Sequence, residues 1–205
     1  LDNLSIQTYY YDGDSNSCQL GDRTTVYANN YHQAIVAVSF QVLDPNGNTI
    51  VGSDLGTIGI IRAATQLVDY ETGETFKELV VWDSSYEPTV FACPLGSKQQ
   101  DTTICTESSI SDDNTVTIMF YVRTDTTDIP ANLIKAGMEI NLKTLSDNAN
   151  TKILKSCRGG DYEEFCILEV INKTNIPSDL LVQDAVYVNN NRDDSLPTLN
   201  NISPV

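Results

Sequence analysis

The one histidine, His32, and the five cysteines, Cys18, Cys93, Cys105, Cys157 and Cys166, are the residues whose types first suggest chemistry. A single imidazole cannot make a multi-histidine metal site, and a catalytic triad needs partners that no motif here names. No cysteine adjoins His32 in sequence, so a Cys–His nucleophile has no local signal. His32 reads instead as a structural histidine, in phase with the core-facing residues of the strand that follows. No C-x-x-C pair occurs, which argues against a zinc ribbon or a thioredoxin-type site. The spacing suggests two short bridged loops, Cys93 to Cys105 and Cys157 to Cys166, as an oxidising compartment would allow. Cys18 is then left over, as a thiol or an intermolecular link. Five reduced thiols are the alternative, because spacing alone does not set connectivity. The nucleophile elbow, the P-loop and the dinucleotide fingerprint are all absent.

Carboxylates are plentiful: 28 acidic residues stand against 12 basic ones, a net charge of −16. Such a surface repels phosphate backbones, since nucleic-acid affinity comes mainly from Lys and Arg displacing counterions. Nucleic acids and anionic membranes are therefore excluded as expected partners. A carboxylate pair could do glycosidic acid–base work, but that needs two named residues at a known separation. Abundance supplies neither, and a solvated acidic surface is the plainer reading. Calcium is the more physical option, because Asp12, Asp14 and Asn16 alternate hard oxygen donors, as do Asp44, Asn46 and Asn48. Neither run continues into an EF-hand loop, and both also read as ordinary turns. No cofactor is expected beyond that calcium.

Tyrosine dominates the aromatics, with ten against five phenylalanines and one tryptophan. It is the aromatic best suited to half-exposed contact surfaces. Tyr9, Tyr10 and Tyr11 must place rings on both faces of one strand. With Tyr27, Tyr31, Tyr86 and Trp82 they make a candidate patch for stacking on a sugar or anchoring a protein. Packing on the sandwich exterior is the competing reading. Asn3-Leu4-Ser5, Asn172-Lys173-Thr174 and Asn201-Ile202-Ser203 fit the N-glycosylation pattern, which matters only for a eukaryotic secreted chain.

The elements that position these residues are strands. Over 34–43 the even positions Ala34, Val36, Val38, Phe40 and Val42 are apolar, and the odd face turns polar at Ser39 and Gln41. That period of two marks a half-buried strand, and Asp44-Pro45-Asn46-Gly47-Asn48 then reverses the chain. Further strands are expected at 4–11, 24–28, 57–62, 87–93, 115–123, 138–142, 151–155, 165–171 and 180–188. A hairpin is expected from 66–70 and 75–83 around Glu71-Thr72-Gly73-Glu74, and one helical turn at 131–136. Short strands between turns, with no convincing amphipathic helix, predict an all-β antiparallel sandwich, immunoglobulin-like in general architecture. It is either one large sandwich or two small ones over 1–188, with 95–114 as the candidate internal boundary. The Asn/Asp/Pro-rich stretch 189–205 reads as an extended or disordered arm.

No apolar run approaches the ~20 residues of a membrane-spanning helix. The chain opens at Leu1 on polar residues without a signal-peptide pattern, as a processed or trimmed chain would. The leading expectation is a non-enzymatic secreted or surface sandwich acting through protein–protein contacts. It would be an accessory or structural component of a larger assembly, or an adhesin module, working with a protein partner or a second copy of itself. The N-terminal strand and the polar tail are the arms that would reach another subunit by strand addition. The alternative is a carbohydrate-binding module, with or without calcium, and a carboxylate-based glycan hydrolase comes last.

Overall fold

Alternating stretches of the sequence become strands in the computed structural model, which describes residues 1–15, 17–50, 56–89, 91–94, 107–126, 129, 134–145 and 152–171. In chain order these are β1 (Asp2–Asp12), β2 (Ser17–Gly21), β3 (Arg23–Tyr27), β4 (Ala34–Gln41), helix α1 (Ile58–Ala64), β5 (Thr65–Asp69), β6 (Asp83–Ser85) and β7 (Ser109–Ile110). They continue with β8 (Val116–Arg123), β9 (Lys135–Asn141), helix α2 (Leu142–Leu145), β10 (Ile153–Ser156) and β11 (Cys166–Ile171). Among the described residues, one sheet runs β2-β1-β4-β8-β6, with β7 also on β8. The other runs β10-β9-β11-β3, with β5 on the far edge of β9. This is an all-β, antiparallel-rich sandwich, immunoglobulin-like in that general sense.

Both sequence halves build both sheets. β4 pairs with β8 from Ala34↔Val122 to Phe40↔Val116, and β5 pairs with β9 from Thr65↔Ile140 to Asp69↔Ala136. The even face of β4 meets Ile118, Phe120 and Val122 of β8 and Met138 and Ile140 of β9 in one buried core. Burying such side chains contributes roughly 1.5–3 kcal/mol each. The odd face of β4 is not left to water. Ile35 and Ala37 pack with Ala92, Met119 and Tyr121 in a second buried cluster, joined by half-buried Tyr9 and Cys18.

Several elements depart from the pattern read in the sequence. Residues 57–62 do not form a strand; α1 forms there instead, burying Ile61 and Ala64 at helical spacing. A short apolar run fits either period, and only tertiary packing decides between them. The second arm of the 66–83 hairpin is also lost after Thr75, which bridges Val68. Beyond it the chain coils into turns, in which Glu78 bonds back to Thr75. The Glu78 carboxylate accepts from the Thr75 N–H (3.2 Å) and hydroxyl (2.9 Å). Among the described residues of 87–93 the one bridge is Gln33↔Ala92, and Pro88 cannot donate to a ladder.

The turns follow their chemistry closely. Asp44 accepts from the N–H groups of Asn46 and Asn48, both at 2.8 Å, and Gly47 takes φ 84°. Gly73 takes φ 72° in the β5 turn. β1 is hydrogen-bonded on both edges, to β2 and β4, so it is an interior strand of its sheet. The expected strand at 180–188, the arm at 189–205, most of the 95–114 excursion and residues 131–133 of the expected helical turn lie outside the described residues. Among the described residues no helix is long and apolar enough to cross a membrane.

Candidate functional site

Two features stand out, a cavity on the flank of the sandwich and an aromatic tip at one end. The cavity begins with alternation along β1. Ile6 and Thr8 face the core, and Tyr10, next on that face, is 40% exposed where the strand outruns it. The hairpin sets Thr8 opposite Gly21, and the Tyr10 ring lies on that glycine. A Cβ at Gly21 would sit 2.8 Å from ring carbon Cε1, so only glycine lets the ring lie there. Asp22 then turns the chain into β3, its carbonyl accepting from the Ile167 N–H at 2.7 Å. The Thr24 hydroxyl donates to the Tyr9 carbonyl at 2.9 Å and ties β3 to β1.

β3 and β11 run parallel, Arg23 opposite Ile167 and Thr25 opposite Glu169. Thr24, Val26 and Leu168 point inward, which leaves Arg23 and Glu169 outside, joined by a 2.7 Å ion pair. Tyr10, Tyr11, Gly21, Asp22, Arg23, Thr24, Thr25 and Glu169 enclose an open cavity of about 440 Å³. Two carboxylates, Asp22 and Glu169, and one guanidinium, that of Arg23, line it.

The tip lies where β1 leaves the sheet and β4 enters it. β1 pairs with β4 as far as Thr8↔Val36, near the start of β4. Asn30 takes φ 59°, and the Asn29 carboxamide accepts from the N–H groups of Tyr31 (3.0 Å) and His32 (2.9 Å). This reversal throws Tyr31 outward, 67% exposed, with its ring edge-on to the exposed Phe91 at 6.3 Å between centroids. His32 turns inward, 6% exposed. Nδ1 accepts from the Tyr27 N–H at 3.2 Å, which places the ring proton on Nε2, and Nε2–H donates to the Cys93 carbonyl at 2.9 Å. Burial lowers the His32 pKa to about 4, against a smaller upward pull from that carbonyl. His32 is thus the neutral clamp that fixes the tip.

The remaining aromatics are spread out. Tyr9 packs with the second cluster and Tyr27 is buried, edge-on to His32. Tyr86 packs on Phe120, and its hydroxyl donates to the carbonyls of Arg62 and Thr65. Burial pushes the Tyr86 pKa up to about 12. Trp82 is only 3% exposed and stacks on Phe76, so its indole serves the core and not a surface. Asp12 is occupied as a turn former, accepting from the Asp14 N–H and the Ser15 hydroxyl, while Asn16 lies outside the described residues. Among the described residues no three His, Cys, Asp or Glu side chains gather as a metal site.

The expected Cys157–Cys166 bridge does not form; both thiols are free. Cys166 belongs to the inner face of β11 and is fully buried. The Cys157 sulfur is turned instead toward the glycine turns, 3.4 Å from where a Cβ on Gly73 would lie and 2.8 Å from one on Gly160. Cys93 is half-buried beside the His32 clamp, and its expected partner, Cys105, lies outside the described residues.

Sequence reasoning singled out Tyr10 and Tyr11 but missed Gly21, Asp22, Arg23, Thr25 and Glu169. Gly21-Asp22 is a legible turn signal. The Arg23–Glu169 pairing spans 146 positions and depends on a parallel strand pair that no local pattern announces. No protein-family model matches the chain, and no curated protein matches it.

Proposed function

We propose that the chain is a non-enzymatic β-sandwich module, secreted or displayed at a surface, that works by contact with another protein through its aromatic tip. The observation that carries this reading is the Tyr31–Phe91 pair, 67% and 41% exposed on two segments that His32 clamps together from behind. Sandwich folds gather their loops at the two ends, and those ends are where such domains commonly present recognition surfaces. Rings held edge-to-face at an exposed tip form a knob suited to a hollow in a partner, not a flat platform for one sugar ring. The buried clamp means little order is lost on binding. A charge of −16 opposes self-association, so the partner presents a neutral or basic surface.

The test is a Tyr31→Ser, Phe91→Ser double variant expressed in the native source. The parent chain migrates in a higher-mass complex on gel filtration, and the variant migrates at the mass of the lone chain while keeping the parent's unfolding midpoint. Equal migration of the two proteins overturns the reading.

A further inference from the structure

We propose that the cavity between the β1–β2 hairpin and the β3–β11 pair is a binding site for a neutral saccharide unit. This inference is independent of the aromatic tip. At about 440 Å³ the cavity has the size of small-ligand sites, which run from roughly 300 to 1,000 Å³. One wall is the exposed Tyr10 ring, seated on Gly21 so that it is ordered before any ligand arrives. The C–H face of a pyranose packs on such a ring.

The other wall is polar and already oriented. Arg23 spends one Nη1–H on Glu169, and the guanidinium carries further in-plane N–H donors. Glu169 uses Oε1 in that bond, leaving Oε2 to accept, beside Asp22 and the Thr25 hydroxyl. Donors and acceptors side by side, next to an aromatic ring, suit a ring whose hydroxyls both donate and accept.

Other ligand classes fit less well. An anion would meet two carboxylates for one guanidinium, on a chain of net charge −16. An apolar ligand would strip water from charged groups without replacing its hydrogen bonds. A cation would compete with Arg23 for Glu169. A neutral polyhydroxyl ring uses both walls and leaves the ion pair intact.

The experiment follows backbone amide shifts of the full ¹⁵N-labelled chain during titration with glucose, galactose, mannose, N-acetylglucosamine and their common disaccharides. Sodium sulfate is run as the anion control. At least one sugar should shift amides of Tyr10, of residues 21–25 and of Glu169, and sulfate should not. Tyr10→Ala and Arg23→Ala should each weaken that response by about tenfold, the effect of losing one platform or one oriented donor. Tyr31→Ser should leave it unchanged, which separates this site from the tip. No response to any of these sugars overturns the proposal, as does a response that both variants retain. A response to sulfate at the same amides overturns it in favour of an anion site.

Discussion

His32 should make the fold lose stability on mild acidification. Its ring is 6% exposed and held neutral, with Nδ1 accepting from Tyr27 and Nε2–H donating to Cys93. Protonation would replace the acceptor with a second donor facing the Tyr27 N–H, inside a site that water cannot reach. Burial therefore drops the pKa from 6.5 to about 4. The sign follows from the depressed value. Between those two pH values the unfolded chain binds a proton that the folded chain refuses, so stability is complete above 6.5 and falls as pH drops toward 4. At 1.36 kcal/mol per pH unit, acidification from pH 7 to pH 5 should cost about 2 kcal/mol. The full loss, reached near pH 4, is about 3 kcal/mol.

The assay is urea unfolding followed by the fluorescence of Trp82, which leaves its stacked position on Phe76 when the core opens. His32→Gln is the matched control, because a carboxamide can both accept and donate without titrating. It should remove most of the slope between pH 7 and pH 5, while any contribution from the N-terminal amine stays common to both chains. A parent whose stability is flat over that range would refute the reasoning. So would a His32→Gln chain with the same slope.

The turns, the core and the thiols give further expectations. Gly137→Ala would put a Cβ 2.0 Å from the Ser156 carbonyl oxygen, and urea unfolding should show a loss of about 3 kcal/mol or more as β9 and β10 are pushed apart. In one short stretch, Phe76→Ala should cost about 3–5 kcal/mol, while Val80→Ser should stay within about 0.5 kcal/mol, since Phe76 is 1% and Val80 99% exposed. Peptide mapping after alkylation of the unfolded chain should recover Cys157 and Cys166 as separate thiols, and a linked peptide would contradict the fold. In the folded chain Cys166 should resist alkylation, because burial raises its pKa and denies access to the reagent.

How far the sequence reached depended on how local each signal was. β4 and β8 were legible because their alternation is long, and the reversal at 44–48 because Asp, Asn and Gly each have a specific turn role. β9 was legible from Met138 to Asn141, but Leu142 starts α2 instead of continuing the strand. The α1 segment was misread because a short apolar run carries no decisive period. The loss of the second hairpin arm had a local sign, since Thr75-x-x-Glu78 is a pattern in which the two side chains can close a turn. What no local pattern contains is the company a strand keeps. Nothing near Ile35 or Ala37 says that the 91–94 segment covers them, and nothing near Arg23 names Glu169. The cavity comes from such distant pairings, so only its tyrosines were visible beforehand.

The central claim is that the tip at Tyr31 is where the molecule meets a protein partner, and site-specific photo-crosslinking addresses it directly. A benzophenone amino acid placed at position 31 should capture one discrete protein in the native source. The same group at position 80, still more open to solvent but on a turn assigned no partner, should capture none. Crosslinking to the same protein from both positions, or no adduct from position 31, would contradict the account.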